Sequence, residues 1–324
     1  MINIKSNILV SVIIPNYNHA SFLKQRMESI YNQTYQNFEV ILLDDASVDN
    51  SLDILQQYKK HPKTAHFIIN KTNSGSPFKQ WKKGIELAKG QYIWIAESDD
   101  YCKETFLEEA IRSLENCHNS VLFFCQSQII DENDNFLQGN PDFTPSKYGC
   151  INGEKFIKDE LIFRNKITNA SACVFNKKIA VKYIDKLLDF KMAGDWMFWT
   201  YLLNEGNIFA SDKKLNYFRA TDQSTRIHNT IQKRTLRLIE ELNVIDKIFS
   251  IVSTLNEAEK KERIKDWKTR WCYTFYTLSD YKNFLLPSKI NLFTIKINKY
   301  ELLKHFFKFK FTRLLDKLHV VKDS

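Results

Sequence analysis

The run ILVSVII at residues 8–14 is apolar without alternation. A strand written this way is buried on both faces, as in a parallel sheet covered by helices. The pattern then repeats. Residues 20–33 place Phe22, Leu23, Met27, Ile30 and Tyr31 at helical spacing. Further strands are predicted at 38–43, 66–69, 92–96 and 121–125, and further helices at 51–58, 77–89 and 103–115. Asp49 or Asn50 suits the cap of the second helix, and Gly90 suits the stop after the third. The alternation predicts an α/β, mainly parallel sheet flanked by helices. Ligands of such sheets bind beyond the C-terminal strand ends, so the polar residues just after each strand are the ones to read.

Pro15-Asn16-Tyr17-Asn18 ends the first strand. Tyr17 is a candidate to stack on a base, with Asn16 beside it. Asp44-Asp45-Ala46-Ser47 ends the second. An Asp here can accept from a nucleobase imide N–H, and Ser47 can bond base or ribose. An Asx-turn leading into the next helix accounts for the same residues. Glu97-Ser98-Asp99-Asp100 ends the fourth. Adjacent carboxylates repel unless a cation lies beside them. A hard cation such as Mg2+ or Mn2+ takes carboxylate oxygens and can bridge to a diphosphate. The plain alternative is that one carboxylate caps the helix beginning near Lys103.

Taken in order, VSVIIPNYNHASFLKQRMESIYNQTY, FEVILLDDASVDNS and NSGSPFKQWKKGIELAKGQYIWIAESDD resemble the nucleotide-sugar domain of family 2 inverting glycosyltransferases. The resemblance covers about residues 8–125 and continues more loosely to about Arg226. It implies the GT-A fold, a Rossmann-like sheet. It sets Tyr17 and Asp45 against the base with Pro15 beside them, and makes Asp44 a weaker candidate. Asp99 would reach ribose or metal, and Asp100 would hold Mg2+ or Mn2+ on the diphosphate. Two departures stand out. Glu97 occupies the place of the family's first Asp. Lys79-Gln80-Trp81-Lys82 replaces an Ala-Arg-Asn segment with one extra residue, which leaves the donor sugar open.

The same resemblance places an acidic base at the start of a helix in the second half, which here is Asp195. Gly194 stands where the family often has another acid. An Asp is also an ideal helix cap. Asn216-Tyr217-Phe218-Arg219-Ala220-Thr221 resembles the family's Tyr-Arg-x-His segment, so Arg219 would contact the pyrophosphate. Thr221 occupies the His position; His228 is an alternative imidazole, and a solvated histidine is the plainer reading of it. The implied activity is transfer, with inversion, from a nucleotide diphosphate-sugar, a UDP-sugar favoured, to a hydroxyl of a glycan or lipid-linked glycan in cell-surface polysaccharide synthesis. A non-catalytic nucleotide-sugar or glycan binder on the same fold is the alternative. A nucleotidyltransferase would show a glycine-rich loop after the first strand, and PNYNHAS is not one.

Elements continue around 156–163, 172–175 and 196–204, and helices are predicted at 230–251, 256–278 and 300–318. The expected organisation is a catalytic domain over 1–225, its donor half about 1–125 and its acceptor half about 126–225, then a helical, basic region over 226–324. The chain has 324 residues and a formal net charge of +9. Much of that excess lies after Lys282, where Glu301, Asp316 and Asp323 are the acids among many lysines. The run KYELLKHFFKFKFTRLLDKLH combines an apolar face with basic flanks, suited to peripheral membrane contact or to packing. Nucleic acid is not expected as a partner. The six cysteines have no metal-ligand or redox-pair spacing and read as free thiols of a reducing compartment. With neither a secretory segment nor an apolar run of roughly 20 residues, the expected location is cytoplasmic or peripheral on the inner face of the cell membrane.

Overall fold

A computed structural model describes residues 7–137, 145–221, 230–275 and 289–320. The chain divides into two compact units, Met1–Ser224 and Thr225–Ser324. The first is built on a nine-stranded sheet. Its strands β1 (Val10–Asn16), β2 (Phe38–Asp44), β3 (Thr64–Ile69) and β4 (Tyr92–Ile95) run parallel in the order β3-β2-β1-β4. Helices α1 (Ala20–Tyr31), α2 (Ser51–Tyr58) and α3 (Pro77–Leu87) make the crossovers. Every residue of β1 is buried, as its near-continuous apolar run requires. A Cβ at Gly84 of α3 would lie 2.3 Å from Ile13 Cγ2, so glycine lets this helix settle onto β1.

The chain travels outward from β1 to β3 and then returns to β4 on the other side of β1. Such a reversal opens a crevice at the carboxyl ends of the strands. Pro15 lies two residues beyond the last β1–β4 pair, Ile13↔Ile95. Its missing N–H therefore falls where that ladder has ended.

The sheet is extended by antiparallel as well as parallel pairs. After β5 (Tyr101–Cys102) and α4 (Phe106–Asn116) comes β6 (Ser120–Ile130), longer than the apolar run 121–125 suggests. The short β7 (Gly149–Ile151) leads into α5 (Gly153–Phe156), which runs on as a π-helical turn over Ile157–Leu161. β8 (Cys173–Asn176) lies antiparallel between β4 and β6. After α6 (Lys177–Tyr183) and α7 (Gly194–Leu203), β9 (Asn207–Arg219) pairs parallel with β6 and antiparallel with β5 and β7. α7 is apolar all round and correspondingly buried, with Trp196, Met197, Phe198, Trp199, Leu202 and Leu203 inside.

The expectation of six free thiols is corrected here. Cys117, at the end of α4, is bonded to Cys150 of β7, with Cα atoms 5.4 Å apart. Spacing in sequence could not show this, because 33 residues separate the pair and the sheet brings them together. The bond removes the basis for inferring a reducing compartment. Cys102, Cys125, Cys173 and Cys272 are free and buried.

The second unit starts with α8 (Ile231–Ile251), where the Thr230 side chain accepts from Lys233 N. α9 (Glu257–Thr274) opens on a reciprocal capping box between Asn256 and Glu259. A hairpin of β10 (Lys289–Asn291) and β11 (Lys296–Asn298) precedes α10 (Lys299–Val320). Trp267, Trp271, Leu302 and Phe306 are buried in this unit. The side chains of Leu314, Leu315 and Leu318 lie outside the described residues, as does His228. No helix among the described residues is long and apolar enough to cross a membrane.

Candidate functional site

The loops after β1 and β2 are laced into one block. Asp44 is fully buried: its Oδ2 accepts from Asn16 Nδ2 (2.9 Å) and Ser47 Oγ (2.6 Å), and its Oδ1 accepts from Ser47 N (2.9 Å). Ser47 Oγ also accepts from Asn18 N at 3.0 Å. Asn18 and Ala46 both take left-handed backbone angles, φ 56° and 62°, which the loop bonds hold in place. Asp44, Asn16 and Ser47 thus join two strand ends. Both oxygens of Asp44 are taken up by protein donors in this way, whereas Asn16 Oδ1 is buried with no hydrogen-bond partner among the described residues.

Asp45 is buried as well. It accepts from Asn70 Nδ2 (2.6 Å), Ser74 N (2.9 Å), Ser74 Oγ (2.7 Å) and Gln80 Nε2 (2.8 Å). A carboxylate offers about four acceptor positions, and protein donors fill them. An incoming imide would reach Asp45 only by displacing part of the Ser74 loop. Tyr17 is the open member of this end, 45% exposed. Pro15 is buried in β1.

Across the crevice lies the end of β4. His19 Nδ1 meets Ser98 Oγ at 2.8 Å and bridges the two loops. Burial lowers the imidazole below its ordinary range, against the pull of Asp100 and Asp49. Glu97, Asp99 and Asp100 are crowded together. Burial, with Asp99 and Asp100 alongside, pushes Glu97 up to about 8, while the Trp81 indole donates to its Oε1 at 2.9 Å. Asp100 is 2% exposed, and burial and Asp99 raise it too. The positive charge of Arg26 acts the other way on both. Arg26 is buried over the Trp94 ring, 5.0 Å from its centroid, and its guanidinium nitrogens have no hydrogen-bond partner among the described residues.

Anionic oxygens crowded this way suit a hard divalent cation. Among the described residues no group of three or more His, Cys, Asp or Glu side chains forms a ready cage. Mg2+ is commonly held by one or two carboxylates together with substrate phosphates and water, so Asp99 and Asp100 fit that donor set.

Arg219 is placed otherwise than expected. Its side chain is buried. Nε donates to Asp99 O (2.9 Å), Nη1 to Asp131 O (2.9 Å) and Nη2 to Gln25 Oε1 (2.8 Å), and Nη2 also pairs with Asp134 Oδ1 (2.7 Å). Phe22 lies beneath the guanidinium, 4.5 Å to the centroid. With every nitrogen engaged, this group braces the Asp99 turn. Arg219→Leu removes donors from two carbonyls and takes away the cation over Phe22. A loss of about 2–4 kcal/mol is expected, read as a lower urea midpoint. An unfolding curve that overlies the wild type would set the bracing role aside.

The sequence reading passed over the residues that organise the second half of the site. Asn169 Nδ2 donates to Asp100 Oδ2 at 2.9 Å while its Oδ1 accepts from Ser171 N at 2.7 Å. Four residues earlier the same construction recurs. Asn165 Nδ2 donates to Asp195 Oδ2 at 2.9 Å and its Oδ1 accepts from Ile167 N at 3.1 Å. One loop therefore orients both the Asp100 carboxylate and the Asp195 carboxylate. Two asparagines in a short polar stretch ahead of a buried strand were the available signal. Asp195 is half-buried at the second residue of α7, and the cap position belongs to Ala193. Trp81 is core: its ring packs near Phe198 and Trp199 of α7, with centroids 6.1 and 6.2 Å away.

Residues 11–183 match the family described as Glycosyl transferase family 2. An uncharacterized glycosyltransferase of Methanocaldococcus jannaschii is 32% identical over 195 residues, 59% of this chain and 63% of that protein. The glycosyltransferase GlyG of Streptococcus pneumoniae is 32% identical over 164 residues, 51% of this chain and 50% of its own. These alignments thus span between half and two thirds of the relatives' length. The crystal structure of residues 1–349 of Staphylococcus aureus TarS in complex with UDP-GlcNAc is similar in fold, with a TM-score of 0.64 at 19% identity, covering 86% of this chain and 77% of that 1–349 chain. The architecture described above is therefore of the GT-A type.

Proposed function

Because the chain belongs to glycosyl transferase family 2, we propose that it transfers a sugar from a nucleoside diphosphate-sugar, a UDP-sugar first among them, to an acceptor hydroxyl with inversion. The observation that carries this reading is the loop whose Asn169 and Asn165 hold Asp100 and Asp195. It sets a carboxylate suited to a cation and a carboxylate suited to a proton into one framework.

Each residue has a part. Tyr17, open at the end of β1, stacks on the base. Asp45 and the Ser74 loop border that face. Asp99 and Asp100 would hold Mg2+ or Mn2+, which when bound supplies positive charge to a departing diphosphate. Arg219 fixes the Asp99 carbonyl and, through its own backbone N–H at 2.9 Å, Asp100 Oδ1. Asp195 accepts the proton of the attacking hydroxyl as the anomeric bond forms on the opposite side from the leaving group.

The acceptor proposed is a glycan or lipid-linked glycan of a cell-surface polysaccharide. Support comes from what relatives are named for: a poly(ribitol-phosphate) β-N-acetylglucosaminyltransferase of Staphylococcus aureus and a putative teichuronic acid biosynthesis glycosyltransferase of Bacillus subtilis. A panel of nucleotide-sugars with Mg2+, scored by protection against thermal unfolding, tests the donor. A ligand at a hundredfold its Kd stabilises by about 2.7 kcal/mol, so one UDP-sugar should raise the melting temperature by several degrees. A panel in which no nucleotide-sugar protects would refute the reading.

A further inference from the structure

The second unit contains a pocket of about 540 Å³ formed by α9, the turn and second strand of the hairpin, and α10. Five lysines line it, Lys260, Lys261, Lys265, Lys268 and Lys296, against the two acids Glu257 and Glu301. Those acids are already paired: Glu257 with Lys260 at 3.0 Å and Glu301 with Lys268 at 2.6 Å. Lys261, Lys265 and Lys296 have no acidic partner among the described residues. His305, on the same wall, is held below its usual range by burial and by the charges of Lys268, Lys265 and Lys308. The pocket therefore carries an uncompensated positive field over an apolar floor of Phe249, Ile264, Ile295 and Ile297.

The surroundings say what kind of anion. Phe293 stands 85% exposed in the hairpin turn. Buried Asp246 accepts from Phe293 N (3.2 Å), Thr294 N (2.7 Å) and Ile295 N (2.8 Å), so the turn is pinned with this ring outward. On α10, Tyr300, Phe307 and Phe311 are 84%, 54% and 62% exposed. Their spacing of seven and four puts them on one stripe, about 120° around the helix from the pocket residues Glu301 and His305. Exposed aromatic rings beside lysines are the composition of a surface that meets lipid head groups, the rings entering the interface and the ammonium groups staying with phosphate. A soluble anion would have no use for the rings.

We infer that this basic pocket and its aromatic rim dock the second unit on the phosphate head groups of an anionic lipid surface. The inference uses no residue of the catalytic reading and stands or falls apart from it.

The test is flotation of the full chain with vesicles of phosphatidylcholine alone and of phosphatidylcholine containing phosphatidylglycerol. Calorimetric titration with inorganic phosphate runs beside it. Wild type should float with the anionic vesicles and stay behind with the neutral ones. The triple variant Lys261→Glu/Lys265→Glu/Lys296→Glu should bind about tenfold more weakly or worse. Lys24→Glu/Lys60→Glu/Lys178→Glu, the same charge change on exposed lysines of the first unit, should float almost as wild type does. Phe293→Ser/Tyr300→Ser alters no charge and should also weaken flotation, which covers the case of a triple variant that fails to fold. Equal loss in both triple variants would mean net charge alone and overturns the site. Undiminished flotation of the pocket and aromatic variants overturns it too. So does phosphate binding by wild type without flotation, which would make the ligand a soluble anion.

Discussion

Asp100→Ala is expected to lower turnover by roughly a thousandfold or more, and excess chelator to do the same to the wild type. The argument begins with cost. Asp100 is buried beside Asp99, and both burial and that neighbour disfavour its anion. The fold nonetheless aims two donors at it, Arg219 N and Asn169 Nδ2, each at 2.9 Å. Such an arrangement favours an oriented, ionised carboxylate that still lacks a full counter-charge, since Arg26 makes no hydrogen bond to it among the described residues. A divalent cation with a diphosphate supplies that charge, and stabilising a leaving diphosphate is worth several kcal/mol, at about 1.4 kcal/mol per tenfold in rate. Alanine leaves the two donors without their acceptor, at about 1–3 kcal/mol each, but also removes like-charge repulsion from Asp99. The variant should therefore stay folded, and its melting curve is the control. Full activity in excess chelator, or Asp100→Ala within tenfold of wild type, contradicts a metal role for this residue.

The parts legible in the sequence are those whose burial writes itself into an unbroken pattern. β1, β2 and β4 are mostly apolar, so their positions and the polar ends beyond them could be read directly. β9 was not read as a strand because its stretch SDKKLN is polar. Pairing with β6, β5 and β7 makes it extended, and that information lies in distant segments. The polar end of β6 escaped for the same reason: Gln126 to Ile130 are held against β9. Site residues divided likewise. Acidic pairs at strand ends announce themselves, but sequence cannot tell which carboxylate faces the crevice and which is consumed inside. Asp44 is sealed by Asn16 and Ser47, and Asp45 by the 70–80 segment. Arg219 looked like a phosphate ligand because a guanidinium suits either phosphate or backbone carbonyls, and only the fold brings Asp99 O and Asp131 O to it. Asn165 and Asn169 were marked only by a polar stretch ahead of a buried strand, and the carboxylates they meet could not be read from it, since those partners lie 30 and 69 residues away.

Asp195→Asn should lower turnover by roughly a hundred- to ten-thousandfold, the range of general acid–base catalysis, with donor protection against unfolding unchanged. Three features make Asp195 suited to accept a proton. It lies in the first turn of α7, where the partial positive charge of the helix end favours a carboxylate anion. Asn165 Nδ2 holds Oδ2 at 2.9 Å and Trp196 N donates to Oδ1 at 2.7 Å, so the group is oriented. The helix behind it is clamped on all sides by buried aromatics, which fixes the carboxylate's origin. At the neighbouring Gly194 a Cβ would lie 2.5 Å from Phe78 and 2.9 Å from Phe190 Cβ, so the backbone before Asp195 has little room for a side chain. Asparagine keeps the shape and one acceptor oxygen while removing basicity, and loses about 0.3–1 kcal/mol of helix-end interaction. The melting temperature should therefore move little. Collapse of stability together with activity would make Asp195 a structural group, and turnover at the wild-type rate would place the base elsewhere. A companion variant, Asn165→Ala, leaves the base present but unsteered. It should lower kcat by a smaller factor than Asp195→Asn, and in the double variant its effect should disappear, because a positioning residue has nothing to position once the base is gone.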